Sequence, residues 1–278
     1  MKKVLIFCFI ITFVLIGQPP ASKAGTFFLG VKGWYTIWDS AILNWLENDI
    51  GLSFQQNRVQ FNATDDDGDG YLVGPLLGYL TDDGKWSVSF APMIFSDFNQ
   101  DWEGSASAMI LSGSAKLERQ DYDLAITYHY SQYIKVFAGF KYQDMELDFT
   151  LNTTTTLGTQ TDTFNVEAEA YIPSFGFGVV LPLVQEKVVV GGQAGLLFPM
   201  MNMKITNQNG TTDDILPHMS VGFNVEGNVT YQGWENIIIQ AGYRYQWWEF
   251  EARGPGRTTA ITSQDITHGP TLSVVYTF

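Results

Sequence analysis

Three aspartates at alternate positions, followed by a glycine, have the clearest metal-binding spacing in this sequence. Asp65, Asp67, Asp69 and Gly70 fit the pattern D-x-D-x-D-G. Calcium binds carboxylate oxygens supplied from alternate positions, and a glycine permits the sharp turn that gathers them. Asp65, Asp67 and Asp69 are therefore candidate calcium ligands, and calcium is the only cofactor that the sequence suggests.

The same segment also fits a simpler interpretation. It resembles the first half of an EF-hand loop, but Leu76 stands where a bidentate glutamate would complete the site. Aspartate and glycine are also favoured in solvated turns that bind no metal. An acidic surface turn is therefore the alternative to a calcium loop.

The charge balance excludes one class of partner. Only 16% of the residues are charged, where about 25% is usual for soluble domains, and 15 basic residues face 29 acidic ones, a net charge of −14. Phosphate contacts require clustered cations, so we expect no nucleic-acid partner.

The first 24 residues have the three parts of a secretory signal. Two lysines precede an apolar run from Val4 to Ile16, and small residues flank Lys23 at the position where a peptidase would cut. The run is too short to span a bilayer as a helix, which needs about 20 residues. We therefore predict a signal peptide at 1–24 and a single domain at 25–278. The only cysteine, Cys8, falls in the signal, so no disulfide is expected.

Period-two alternation dominates the remainder of the chain. One face of each segment is apolar and the other is rich in Gly, Ser, Thr, Asn and Gln, which predicts β-strands with one apolar, lipid-facing side. The clearest cases are 29–37, 86–94, 123–130, 218–231, 237–247 and 271–278. Weaker cases are 71–80, 135–149, 164–181 and 187–205. In 164–181, Glu167 and Glu169 share parity with Phe175 and Phe177, which indicates either a bulge or a strand that rises above the lipid.

The connections predict how these strands are wired. Short turns near residues 81–84, 131–133, 184–186 and 232–235 alternate with longer polar stretches at 39–70, 97–118, 151–163, 206–214 and 253–265. Brief turns on one side and long loops on the other are typical of outer-membrane barrels. The predicted fold is an all-β transmembrane antiparallel up-and-down barrel of about ten strands with long external loops; eight and twelve strands are the alternatives.

A secreted β-sandwich would also alternate, but two features disfavour it. The polar face carries few charges, as in a confined lumen and unlike a solvated sheet. The apolar face often ends in aromatics such as Tyr35, Trp86 and Trp247, as lipid interfaces favour.

The final strand carries a family resemblance. Leu272, Val274, Tyr276 and Phe278 share one face, and the chain ends on the phenylalanine. This resembles the terminal strand of bacterial outer-membrane β-barrel proteins, in which Tyr276 and Phe278 would form the assembly signal. The resemblance implies insertion by the barrel-assembly machinery with periplasmic chaperones, and a location in the outer membrane of a Gram-negative bacterium, among its lipid and lipopolysaccharide. It identifies no subfamily.

A few charges fall on the polar face and would meet inside the barrel. They are Lys32, Asp123, His129, Lys141, Glu226 and Arg244. In a barrel of about ten strands they would pair as a plug, because an unpaired buried charge is costly. The alternative is a charged constriction that selects small solutes.

Catalytic constellations are weak. The residues most similar to an omptin protease site are the stretch 99–103 with Asp213, Asp214 and His218. The residues most similar to a His–Ser deacylase site are Ser263 and His268. Neither reproduces a motif, so no catalytic residue and no enzyme is predicted. We expect a non-enzymatic structural or surface-exposed barrel with at most a narrow pore. The alternatives are a selective channel for small solutes, a calcium-stabilised surface binding protein or adhesin, and, least favoured, a rim hydrolase of omptin type.

Overall fold

Strands account for almost all of the chain that the structure describes. The computed structural model describes residues 25–39, 68–106, 109–155, 158–184, 187–207, 210, 212–215, 220–252 and 261–278. The predicted signal peptide lies outside these ranges. Within them, no helix is long and apolar enough to cross a membrane. The strands are β1 (Thr26–Asp39), β2 (Gly68–Leu80), β3 (Trp86–Met93), β4 (Phe95–Ala106), β5 (Met109–His129), β6 (Ile134–Thr155), β7 (Gly158–Val184), β8 (Val188–Leu197), β9 (Met200–Asn207), β10 (Thr212–Ile215), β11 (Gly222–Trp234), β12 (Ile237–Ala252) and β13 (Ile261–Thr277).

The strands close into an antiparallel ring. β1 pairs with both β2 and β13, and β8 closes the ring by pairing with both β7 and β11. β3 and β4 share one position between β2 and β5, while β8 and β9 follow one another along β7. β10 and β11 likewise follow one another. The ring therefore has ten positions, which confirms the predicted barrel and its strand number.

One end of the barrel, which we call the lower end, carries both Thr26 and Phe278 together with short connections. The backbone nitrogen of Phe278 donates to the Phe27 carbonyl at 2.9 Å. Two turns here use a left-handed residue, Gly84 (φ 65°) and Asn236 (φ 62°). Glycine and asparagine tolerate that conformation best, which explains their use in tight turns.

The opposite, upper end differs from the prediction of long loops. Residues 97–118, 151–163 and 206–214 are mostly strand, because β4 to β7, β9 and β10 continue to within a few residues of one another. Residues 40–67 and 253–260 of the other two predicted loops lie outside the described part. The polar composition that suggested loops instead reflects strands whose outer face meets water.

The lower part of the barrel wall, which we call the lower zone, is apolar outside. On β6 the outward residues run from Ile134 through Val136 and Phe140 to Tyr142. That stretch of nine residues spans roughly 20 Å along the barrel axis, close to the apolar band of an outer-membrane barrel. Tyr122, Tyr142 and Tyr171 form a cross-strand row at its top, with neighbouring rings 5.9 and 5.2 Å apart. We call this row the tyrosine row.

Above the tyrosine row, in what we call the upper zone, the two faces exchange character. The next outward rows are Gln120, Asp144 and Glu169, then Glu118, Glu146 and Glu167. Most inward side chains at these heights are apolar and buried, including Met145, Leu147 and Phe149. Water outside and a packed core inside is the arrangement of a soluble barrel.

This exchange explains the parity of Glu167 and Glu169. β7 runs 27 residues, and its pairing with β6 has no register shift between Ile134–Val179 and Thr155–Gly158. There is accordingly no bulge within 164–181: the strand rises above the lipid, and the surroundings change while the backbone phase does not. β6 continues for 13 residues beyond Tyr142, or about 30 Å along the barrel axis.

Candidate functional site in the barrel interior

A buried ion network crosses the interior just inside the tyrosine row. Asp121 on β5 accepts hydrogen bonds from Arg119, with Nε–Oδ1 at 2.8 Å and Nη2–Oδ2 at 2.9 Å. It also accepts from Lys141 Nζ at 3.3 Å and from Gln143 Nε2 at 3.1 Å. Arg119, Asp121 and Gln143 are each 1% exposed. The carboxylate therefore has partners on both oxygens, as burial requires.

A second carboxylate extends this network downwards. Asp123 lies 3.5 Å from Lys141 Nζ and 3.4 Å from Arg244 Nη1. Lys141 Nζ also donates to Gln246 Oε1 at 3.1 Å, which ties β6 to β12 on the far side of the barrel. The network thus bridges the interior from wall to wall.

Trp34 lies against this network. Its indole is 1% exposed, with Arg244 Cζ 4.9 Å and Lys141 Nζ 5.7 Å from the ring centroid. These distances are those of cation–π contacts. Within the described residues, Trp34 Nε1 and Arg244 Nε have no hydrogen-bond partner although both are buried.

Above the network most of the interior is filled by apolar side chains. Leu117, Leu147 and Val166 form one cross-strand row, each at most 2% exposed. Trp38 packs edge-on against Phe98, and its Nε1 donates to Asp265 at 2.9 Å. No described side chain in this core is exposed enough to border an open channel.

Below the network lies a cavity of about 490 Å³. It extends from the ion network to residues at the lower end such as Thr26, Leu80 and Thr277. The interior is therefore a blind chamber, roofed by Trp34 and the ion network.

All six charged residues selected from the sequence line this cavity. They are Lys32, Asp123, His129, Lys141, Glu226 and Arg244. The structure joins three of them through ion pairs, at Asp123, Lys141 and Arg244. Glu226 instead accepts from Gln193 Nε2 at 3.3 Å, and His129 Nε2 lies 3.4 Å from Ser87 Oγ.

Sequence reasoning missed Arg119, Asp121, Lys135 and Asp265. Arg119 and Asp121 share the inward parity of Asp123, so extending that strand by four residues would have found them. They were missed because the predicted strand began only at residue 123, after a predicted loop at 97–118.

The candidate calcium ligands do not form a loop where the structure describes them. Asp69 and Gly70 lie within β2, and Asp69 points outward to accept a hydrogen bond from Tyr35 Oη at 2.6 Å. Gly70 therefore does not supply the sharp turn that the motif requires. Asp65 and Asp67 lie outside the described residues. Among those described, no group of three or more His, Cys, Asp or Glu side chains could hold a metal.

The candidate hydrolase residues do not come together. Ser263 is buried inside the barrel, whereas His268 points outward, with Nδ1 2.6 Å from Tyr243 Oη. Asp213 and Asp214 lie in β10, and residues 99–103 lie in β4. His218 is outside the described residues.

The terminal aromatics point outward at the lower end. Tyr276 and Phe278 are 45% and 47% exposed, with ring centroids 4.9 Å apart. They lie on the lipid-facing side at the end of β13, at the edge of the lower zone.

Comparisons with known proteins give similarity in architecture alone. No protein-family model and no curated protein sequence matches this chain. Among solved structures, the outer membrane protease OmpT from Escherichia coli is 10% identical, with 95% of this chain and 99% of that chain covered and a TM-score of 0.49. The translocator domain of the autotransporter NalP from Neisseria meningitidis is 9% identical, with 96% and 92% covered and a TM-score of 0.47.

A third similar structure, the outer membrane protein OprG from Pseudomonas aeruginosa, is 12% identical, with 92% and 96% covered and a TM-score of 0.34. These values are too low to carry a function. The closed ring and its apolar outer wall identify the fold as that of a bacterial outer-membrane β-barrel, in agreement with the predicted location.

Proposed function

We propose that this chain is a sealed, non-enzymatic barrel of the outer membrane that holds a rigid, acidic β-structure above the membrane surface. In outer-membrane barrels the short turns face the periplasm, so the lower end would be periplasmic and the upper zone external. Lipid and lipopolysaccharide would surround the lower zone. Tyr276 and Phe278 would serve insertion by the barrel-assembly machinery after delivery by periplasmic chaperones.

The interior above the cavity is the observation that carries this proposal. An open pore would have to pass Trp34, the ion network and the row of Leu117, Leu147 and Val166, all of them buried except Asp123 at the lower edge of the network. Separating a buried ion pair costs several kcal/mol, and a packed core has few voids large enough for water. Solute passage therefore conflicts with the packing.

The absence of catalysis is supported by the separation of the polar groups. Ser263 and His268 lie on opposite sides of the wall, and His129 lies in the cavity far below the upper end. Because one side chain points inward and the other outward, Ser263 and His268 cannot act together as a nucleophile and its base.

Conductance is the direct test of sealing. Purified protein in a planar bilayer is expected to give no discrete steps. A variant with Leu117, Leu147 and Val166 all changed to alanine, confirmed as folded by its heat-modifiable gel migration, is expected to leak more ions, because the row would no longer fill the upper zone. Leu124→Ala, on the lipid-facing side, is the matched control and should stay silent.

Steady single-channel steps from the wild-type protein would reject the sealed barrel. They would support the alternative of a small-solute channel, for which the charge-lined cavity is the favouring observation.

A further inference from the structure

The cavity beneath the ion network has an excess of positive charge. Lys32, Lys135, Lys141 and Arg244 line it, against the carboxylates of Asp123 and Glu226. Within the described chain, Lys141 and Arg244 form ion pairs with Asp123, whereas Lys32 and Lys135 have no carboxylate within 4 Å. A positive chamber inside a chain of net charge −14 is not a consequence of composition.

One buried donor beside this cavity has no partner in the described chain. Arg244 is 7% exposed, and its Nε has no partner among the described residues although its Nη1 reaches Asp123. A buried donor without a partner is costly unless a ligand or water accepts from it. Arg244 lies at the roof of the cavity, so its guanidinium places positive charge at the inner end of the cavity.

The lining of the cavity mixes apolar and polar groups. Apolar side chains lie together on β2, β1, β13 and β12, at Leu76, Leu80, Phe28, Val275 and Ile238, and the cations Lys32 and Arg244 lie on two of the same strands. Polar groups on the facing strands include Ser87, His129, Gln193 and Asn228. A ligand that matches this cavity has both an apolar surface and a charged group.

We propose that the cavity binds an amphiphilic organic anion, of the class of a medium-chain carboxylate, which enters from the lower end. The carboxylate would take charge-assisted hydrogen bonds from Lys32 and Arg244, with Lys135 adding attraction near the entrance. The chain would lie along Phe28, Leu76 and Leu80. The volume of about 490 Å³ falls in the usual range of ligand pockets, roughly 300–1,000 Å³.

This inference does not require the barrel to be sealed. If the roof is closed, the cavity binds the anion without passing it on; if the roof opens, the cavity is an intermediate binding site on a transport path. Binding and conductance are measured separately, so either can fail without the other.

Equilibrium dialysis with labelled octanoate tests the proposal. Full-length processed protein in nanodiscs of zwitterionic lipid is compared with empty nanodiscs, so that partition into lipid is subtracted. Saturable binding of one octanoate per barrel is expected. Lys32→Gln should weaken it by about tenfold, the loss of one charge-assisted contact, and the double variant K32Q/K135Q should weaken it further.

Two controls separate the charge from the apolar wall. Lys116→Gln removes an exposed cation outside the barrel and should leave octanoate binding unchanged. Neutral octanol should bind more weakly than octanoate and be insensitive to Lys32→Gln.

Three outcomes would overturn the proposal. The first is octanoate binding no greater than that of empty nanodiscs. The second is equal binding by the wild type and by a K32Q/K135Q variant whose gel migration shows a folded barrel. The third is octanol binding as tight as octanoate binding, which would mean an apolar pocket without anion recognition.

Discussion

Arg119 and Asp121 lie two residues apart on the same inward face of β5 and form a bidentate ion pair, with two N–O distances of 2.8 and 2.9 Å. Neighbouring inward positions on a strand are close enough for such a pair. Both side chains are buried, and Lys141 and Gln143 occupy the remaining capacity of the carboxylate. The pair lies where the polar lower cavity gives way to the apolar upper core.

Removing one member of this pair should destabilise the barrel strongly. Asp121→Ala leaves the Arg119 guanidinium buried without its anion, which costs about 3–5 kcal/mol. We expect a clear drop in the temperature at which the protein loses its folded gel migration in SDS. Lys116→Gln, outside the barrel, should change that temperature little.

A double variant distinguishes the pair from its surroundings. The double variant Arg119→Met with Asp121→Leu removes both charges of the pair together, so neither is left buried without the other. Met145 and Leu117 are apolar neighbours for the new side chains. Replacing a buried pair by apolar residues is often neutral or stabilising. Stability should recover toward the wild type, although Lys141 keeps only Asp123. A double variant less stable than Asp121→Ala would contradict this account.

The carboxylates on the outer face of the upper zone should make the stability of the folded barrel depend on pH. Burial and the neighbouring Glu169 and Glu167 raise the pKa of Asp144 above its usual value. The folded state therefore binds that proton more tightly than the unfolded state. Ionised Asp144 therefore destabilises the folded state, fully at pH values above the raised pKa and less as the pH falls through it. Mild acidification should accordingly stabilise the folded barrel.

Glu169→Gln tests the cause, because Glu169 lies directly opposite Asp144. Neutralising it should raise stability at neutral pH by a few tenths of a kcal/mol, about the scale of an exposed cross-strand pair, and flatten the pH response. Asp148→Asn is the control, since Asp148 faces Asn165 and Lys116 and has no acidic partner across the strands. Equal effects of the two variants would refute the cross-strand explanation.

A glycine in β13 permits a close backbone contact. Gly269 has φ of 150°, and a Cβ there would collide with the carbonyl oxygen of Tyr35 on β1. Gly269→Ala should therefore destabilise the barrel by about 1–3 kcal/mol. Gly227→Ala is the matched control, because a Cβ at Gly227 would meet nothing within 4 Å. Melting temperatures in detergent would separate the two, and similar values would remove the steric argument.

The lower zone could be predicted from sequence because bilayer and lumen impose opposite demands on alternate residues. Val136 and Phe140 face lipid while Lys141 faces the cavity, and the period of two exposes that difference directly. The upper zone could not be predicted in the same way. Its strands alternate too, but with polar residues outside and apolar residues inside, as at Glu146 and Leu147. When such a segment is assumed to touch lipid, its polar outer face makes it look like a loop.

The ion network was only partly predictable for a related reason. Parity assigns Asp123, Lys141 and Arg244 to one interior, but it cannot say which strands face each other across the barrel. The contact between Lys141 and Gln246 joins residues 105 positions apart and follows from ring closure alone. The roof formed by Trp34 depends on that closure as well.

The exchange of faces above the tyrosine row can be tested with single cysteines, since the only native cysteine, Cys8, lies in the predicted signal. Phe140 and Glu146 are both outward residues of β6, one below Tyr142 and one above it. In intact cells, a membrane-impermeant maleimide should label Glu146→Cys and leave Phe140→Cys unlabelled, because lipid covers position 140 and external water reaches position 146. Leu147→Cys, which points into the packed core, should stay unlabelled until the barrel is unfolded. The labelling therefore shows which way a side chain points as well as its position along the barrel axis. Labelling of position 140 in intact cells, or labelling of position 146 only after the cells are lysed, would show that the upper zone does not stand outside the membrane.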